Sequence, residues 1–273
     1  MAGAALPSSG DRRWDIALRN QWNVLTAIFF RDADSRHGRR FLLGYFASAI
    51  EPLMIVSVLA ILFTALGRHL PYGESILLFL GTGVFPIYLF IHTSVRVRQA
   101  LGIGKHRIRF PIEQPLDLVV IHGFQHFLTS VVVAALYFFT LRLFGVDDAI
   151  PHDPLLALAA LSAIFLLGLG VGIINSVIAR IVPIWDLIWP AISRTTLHFS
   201  GLYYVAAFLP PTIRTWLVYN PVLHGTNWFR QAFYVFYPTF ATSKAFLLGS
   251  GLVALTFGLL LEAATRQYLE ARE

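Results

Sequence analysis

Four groups of residues in this chain carry functional groups at spacings that chemistry can use. Asp32 and Asp34, separated by Ala33, form an acid pair of the kind that holds a divalent metal beneath a nucleotide sugar. A three-residue match without a surrounding nucleotide-binding pattern carries little weight, and no catalytic use is expected of it. His122 and His126 are spaced i, i+4 and share one helix face, as metal-ligating histidines do. No nearby Glu or third His completes a site, so they read as polar side chains packing between helices. Asp147, Asp148 and Asp153 crowd one short segment and read as a solvated acidic loop. The fourth group, Glu51 and Arg194, stands out because each falls in a long apolar stretch. Neither a serine nucleophile elbow nor a G-x-x-x-x-G-K-[ST] phosphate loop occurs, and the two lysines, Lys105 and Lys244, follow no phosphate-binding glycine loop. The sequence therefore predicts a chain that is not an enzyme, with no catalytic residue, no metal site and no cofactor of its own.

The elements that position these residues are apolar. Hydrophobic residues make up 56% of the 273 and charged residues 13%, far from the averages of a soluble domain. There is no cysteine, hence neither disulfides nor thiolate metal sites. The first ten residues lack a basic and an apolar signal region, so no cleaved leader is expected. A helical span needs about 20 mostly apolar residues. Six stretches qualify, at about 41–66, 76–95, 116–144, 155–178, 185–208 and 243–264. Strand alternation is absent, which argues against a barrel. The fold class predicted is an all-α polytopic membrane protein with six transmembrane helices. Its layout is a segment 1–40, a transmembrane domain 41–264 and a tail 265–273. Of the 21 Lys and Arg residues, 15 fall beside the termini and the even-numbered loops and 5 on the opposite side. This bias predicts cytoplasmic N- and C-termini. It also accounts for the net charge of +6 better than nucleic acid binding, which is not expected.

Three segments need separate reading. Trp14, Leu18, Trp22, Leu25 and Phe29 recur at steps of three and four, with Arg12, Arg13 and Arg19 off that stripe, which predicts an amphipathic helix on the membrane surface and contact with lipid. Leu53 to Leu66 is too short to span alone, so Glu51 lies within or at the edge of the hydrocarbon, while Arg194 lies midway along the fifth span. Charges at such depth usually face a bundle interior, a partner charge or a water-filled path. Both are therefore expected to face a polar conduit or subunit seam, where they could pair with each other, the alternative being an interfacial Glu51 and an Arg194 that snorkels. Finally, Tyr203 to Phe240 holds 12 aromatics in 38 residues, broken by prolines. Thr212 is expected to cap a short helix that Asn220-Pro221 ends. Thr226 or Asn227 then starts a second, with Trp228, Phe229, Ala232, Phe233 and Phe236 on one stripe. The pair is expected to dip into the outer leaflet as short re-entrant external helices, with Arg230, Gln231 and Tyr234 turned toward water. The aromatics suit either an interfacial belt or a surface for sugar rings.

These landmarks resemble a family. "FFRDADSRHGRRFLLGYFASAIEP", with Leu43, Gly44, Tyr45, Glu51 and Pro52, looks like the entry to the first span in ABC-2 type permeases of polysaccharide export. "FLGTGVFPIYLF" resembles that family's second span, "RFPIEQPLD" its cytoplasmic Phe-Pro element, and Ser200, Gly201, Leu209, Pro210, Asn220, Pro221, His224 and Arg230 its external motif. The likeness is greatest to the capsular polysaccharide branch. One departure is Asn227, where the family usually has Glu; another is the lack of an evident Asn in the second cytoplasmic loop. The resemblance implies a homodimer in the cell inner membrane bound to two ABC ATPase subunits, which hold the ATP and Mg. The pair would export a lipid-linked polysaccharide and hand it to a periplasmic co-polymerase and an outer-membrane polysaccharide export protein. On that reading Arg96, Arg98, Lys105, Arg107, Arg109, Phe110 and Pro111 couple to the ATPase, and Glu51 and Arg194 line the path. Tyr203, Tyr204, Trp216, Tyr219, His224, Asn227, Trp228, Arg230, Tyr234 and Tyr237 form an outer gate with glycan contacts. O-antigen and teichoic acid exporter permeases share most of these marks, a lipid or drug ABC-2 permease is an alternative that usually has less of the external motif, and a membrane-bound glycosyl- or acyltransferase is the enzymatic alternative.

Overall fold

The computed structural model of the chain describes residues 41–107 and 115–270. The expected surface helix with Trp14, Leu18, Trp22 and Leu25 lies outside the described residues, as do Arg109, Phe110 and Pro111 and the side chains of Lys105 and Arg107. Eight α-helices run through the described chain: α1 Phe41–Ala65, α2 Ile76–Arg107, α3 Pro115–Leu143, α4 Pro154–Ile181, α5 Trp185–Phe199, α6 Pro211–Leu217, α7 Pro221–Gln231 and α8 Lys244–Glu270. Among the described residues every regular element is helical. Helices satisfy their backbone polar groups internally, which is the condition for crossing hydrocarbon.

Four helices are long and apolar enough to cross a membrane, over Ile76–Ala100, Val119–Leu143, Pro154–Ile181 and Lys244–Thr265, and the described part of α1, Ile50–Ala65, is a shorter apolar helix. Leu136, Phe139, Leu143, Leu252, Phe257 and Leu260 on α3 and α8 are exposed, as lipid-facing side chains are.

Two expected boundaries change. The second span continues without a break to Arg107, so Arg96 and Arg98 sit on a helix rather than in a loop. The fifth span, expected over 185–208, stops at Phe199. Ser200 is the last residue of that turn and Gly201 takes φ +79°, a left-handed conformation that ends the helix. At 15 residues α5 is about 22 Å long, short of the roughly 30 Å of hydrocarbon. Residues 202–210 follow as irregular chain around a short 3-10 turn, Ala206–Phe208, flanked by extended Val205 and Leu209.

The middle of the bundle is α4, packed between α2 and α8 through a glycine stripe. A Cβ at Gly168 would come 3.0 Å from Thr93 Cβ, and one at Gly172 2.6 Å from Val97 Cβ, both on α2. On the other side a Cβ at Gly170 would come 2.3 Å from the backbone nitrogen of Leu255 on α8. Small residues of this kind let membrane helices gain van der Waals contact where lipid offers no hydrophobic drive. Because the obstacle at Gly170 is backbone, no side-chain rotation relieves it. Gly170→Val is therefore expected to cost about 3 kcal/mol or more, as overpacking does. Gly249→Ala, which meets nothing within 4 Å, is expected to be neutral. Thermal unfolding followed by gel filtration in detergent compares the two, and equal stability of both variants would contradict this packing.

Candidate functional site

The candidate site is the module between α5 and α8, built on two short helices. Asn220 and Pro221 mark both an end and a beginning. α6 stops at Leu217, and Asn220 is the N-cap of α7, its side-chain oxygen accepting from Val222 N at 3.0 Å with Pro221 at the first helical position. The expected start at Thr226 or Asn227 is thus corrected, since both are buried in the middle of α7. Thr226 returns its hydroxyl to Val222 O at 3.1 Å. Likewise α6 begins at Pro211, without a cap from Thr212.

Arg230 is where the structure departs most from expectation. Its side chain does not face water; the residue is 0% exposed. Nε donates to Thr82 Oγ1 at 3.4 Å. Nη1 donates to Gly201 O at 2.7 Å, Tyr204 O at 3.2 Å and Tyr237 OH at 3.4 Å. Nη2 donates to the carbonyls of Phe79 and Leu202, each at 3.3 Å. The guanidinium lies 3.9 Å from the centroid of the Phe79 ring, a cation–π distance. Among the described residues no carboxylate forms an ion pair with it. Gly83 leaves the room: a Cβ there would come 2.9 Å from Nη2. One side chain thereby joins α7, α2 and the broken backbone after α5.

The other polar residues of α7 hold the module from the opposite side. His224 Nδ1 accepts from Ser243 N at 3.0 Å, which leaves Nε2 carrying the proton donated to Val218 O at 2.7 Å. A neutral imidazole thus fastens α7 to the start of α8. Asn227 Nδ2 donates to Ala241 O at 3.4 Å, and its Oδ1 accepts from Tyr237 OH at 3.1 Å, extending the hydrogen-bond chain that begins at Arg230.

The aromatics divide into two sets. Trp228, Phe229, Phe233, Tyr234 and Tyr237 are buried, so Tyr234 does not face water as expected. Phe233 meets Phe138 of α3 with ring centroids 4.5 Å apart, and Tyr72 sits edge-on to Tyr234 and Tyr237, each at 5.3 Å. Trp216, Tyr219 and Phe236 are exposed, which removes Phe236 from the expected apolar stripe. Tyr203 and Tyr204 are half-buried, with Tyr203 stacked on His198 of α5 at 5.6 Å.

The expected pairing of Glu51 with Arg194 is not formed. Glu51 Oε2 lies 3.2 Å from His92 Nε2 on α2. Arg194 is exposed on α5, and among the described residues no ion pair joins the two. The His92 ring lies 5.3 Å from that of Tyr88 and 5.9 Å from that of His126. A cavity of about 30 Å³ sits among Pro52, Tyr88, His92, His126 and Ser130, and His126 Nε2 is 3.4 Å from Ser130 Oγ. The acids between α3 and α4 are structural: Asp153 caps α4 by accepting from Leu156 N at 2.9 Å, and Asp147 pairs with Arg142. Among the described residues no group of three His, Asp or Glu side chains is arranged to hold a metal.

Sequence reasoning overlooked His92, Thr82, Tyr72 and Asp186. His92 could have been found, as a lone titratable group closing an otherwise apolar run, and Asp186, which pairs with Arg98, as the one acid at the start of the fifth span. Thr82 and Tyr72 carry no such signal.

If Arg230 is the fastener, Arg230→Met strands several buried carbonyls and is expected to cost about 3 kcal/mol or more, while Tyr237→Phe removes one shared hydroxyl and costs about 1 kcal/mol. Thermal unfolding in detergent measures both. An Arg230→Met protein as stable as the parent would refute the assignment.

Comparison with known proteins gives a consistent picture. Residues 24–234 match the ABC-2 type transporter family. The chain is similar to the capsule polysaccharide export inner-membrane protein BexB of Haemophilus influenzae, 23% identical over 245 residues that cover 90% of this chain and 92% of that one. It is similar to the capsule polysaccharide export inner-membrane protein CtrC of Neisseria meningitidis serogroup A, 24% identical over 89% of this chain and 91% of the relative. The polysialic acid transport protein KpsM of Escherichia coli is 26% identical over 87% of this chain and 92% of its own length. A family match from residue 24 to residue 234 of a 273-residue sequence covers well over half of it, and the chain belongs to the ABC-2 type transporters.

Proposed function

We propose that the chain is the transmembrane subunit of an ATP-driven exporter that carries lipid-linked capsular polysaccharide across the inner membrane. The observation that carries this reading is coverage. Similarity to a protein named for capsule polysaccharide export extends over 90% of this chain and 92% of the relative, so nearly the whole chain is matched. A shared span or two would not separate this role from other ABC-2 permeases.

The side chains support the assignment in three places. Helix α5 exposes Arg194, Thr195 and His198 at membrane depth, where lipid is a poor environment for them. A homodimer that places this face toward a second copy would cover them and leave a polar path for glycan between the subunits. Half-buried Tyr203, stacked on His198, offers an aromatic wall that holds sugar rings without selecting one sugar. Glu51 and His92 add polar groups to the same path. The α7 module closes its outer end, and exposed Trp216, Tyr219 and Phe236 form a belt at the outer interface. Arg96, Arg98, Lys105, Arg107, Arg109, Phe110 and Pro111 form the surface for two ATPase subunits, where ATP and Mg are bound. The periplasmic co-polymerase and the outer-membrane export protein receive the polymer.

Deletion of the gene in its host tests this directly. The expected outcome is polymer accumulated inside the cell with surface polymer lost, both restored by the intact gene. Normal surface polymer in the deletion strain would refute the reading, and loss of polymer from both locations would favour a synthetic enzyme.

A further inference from the structure

Helix α5 is tied at its two ends and held loosely between them. Of its fifteen residues only Trp189 and Ser193 are buried. At its first turn Asp186 forms an ion pair with Arg98, on the basic end of α2. At its last turn the Phe199 carbonyl and the Ser200 hydroxyl both accept from Asn220 Nδ2, at 3.1 and 2.9 Å. The other atom of that amide, Oδ1, caps α7. A single side chain therefore joins the end of α5 to the start of the helix that carries Arg230. By contrast α2, which also reaches from the basic segment to the Arg230 cage, is clamped along its length: Leu78, Phe79, Leu80, Val84, Ile87 and Leu89 are all buried.

We infer that α5 is a strut that transmits displacement of the basic end of α2 to the cap of α7, with Asp186 and Asn220 as the positioning residues at its two joints. A hydrogen-bonded helix about 22 Å long is stiff along its axis. Within its own subunit α5 is held by little more than Trp189, Ser193 and the bond from Trp185 Nε1 to Asn175 Oδ1 of α4 at 2.8 Å, so its sliding there disturbs less packing than moving α2, which would disrupt the core. The Asp186 side chain is 65% exposed, and exposed ion pairs add little to stability. The pair's contribution is directional, fixing which helix follows Arg98. The joint at Asn220 is stronger because one amide makes three hydrogen bonds. This inference rests on the reading that the basic segment receives the ATPase.

The test uses the full chain in complex with its ATPase. Asp186→Lys places like charges at the joint. It is expected to keep ATP hydrolysis within about twofold of the parent while export falls about fivefold, the low end of ordinary coupling between sites. Adding Arg98→Asp restores an opposite-charge pair, and with export expressed per ATP hydrolysed, so that any weaker docking of the ATPase at Arg98 cancels, at least about half of the lost export is expected to return, as a double-mutant cycle requires of a direct interaction. Unchanged export in Asp186→Lys, or a loss that the reversed pair does not recover, would overturn the strut. A second readout is independent of what is exported. The chain has no cysteine, so Ile192→Cys on α5 and Leu158→Cys on α4, both exposed, take spin labels cleanly. The label distance is expected to shift on ATP binding, and Asp186→Lys is expected to abolish that shift. Absence of the shift, or its persistence in Asp186→Lys, overturns the strut even if the complex carries a different cargo.

Discussion

A buried guanidinium that meets no carboxylate among the described residues governs the part of this protein built around α7. Removing a charge from water costs several kcal/mol unless polar groups replace the solvent. Around Arg230 the replacements are the carbonyls of Phe79, Gly201, Leu202 and Tyr204. Three of the four belong to backbone that has left α5 and lacks helical partners. Non-helical backbone at membrane depth is tolerated only where protein satisfies it. The need is reciprocal: the broken backbone requires donors and the buried cation requires acceptors. Each makes the other affordable. It accords with the end of α5 at Phe199, and Gly83 stands where a Cβ would crowd the guanidinium, whereas Gly201 supplies the left-handed turn and a Cβ there would meet Leu223.

From that constraint follows a division of mechanical roles. The α7 module is fastened on every side, by Arg230 to α2, by His224 to the start of α8, and by its aromatics to Phe138 of α3. The α4 helix is locked between α2 and α8 by glycines whose neighbours include backbone atoms. Against this frame α5 buries only two residues and exposes polar side chains. On the proposed function, the fastened frame is what resists a polymer and α5 is the element that moves with the nucleotide cycle.

Long apolar runs made α2, α3, α4 and α8 legible in the sequence, because apolar length reports the same lipid constraint that shapes the helix. The ordered set of short motifs marked the module of two short helices that lies between α5 and α8. What escaped was tertiary. Apolar residues continue past Gly201, so hydropathy does not register a backbone break that depends on one glycine and on an arginine 29 positions away. Arg230 was expected in water because charge is ordinarily solvated, and its cage comes from three separate segments. Asn220-Pro221 was read as a stop, although the same amide that closes one segment caps the next. Glu51 was matched with Arg194, while a histidine one helix away was the nearer partner.

The central claim is that α7 is a sealed, Arg230-fastened plug beside an open neighbour. Amide hydrogen exchange of the purified protein in lipid nanodiscs tests it most directly. The account predicts that amides of residues 223–230 exchange as slowly as those in the middle of α4, while those of α6, which buries no residue, exchange rapidly. Rapid exchange across both short helices would contradict it.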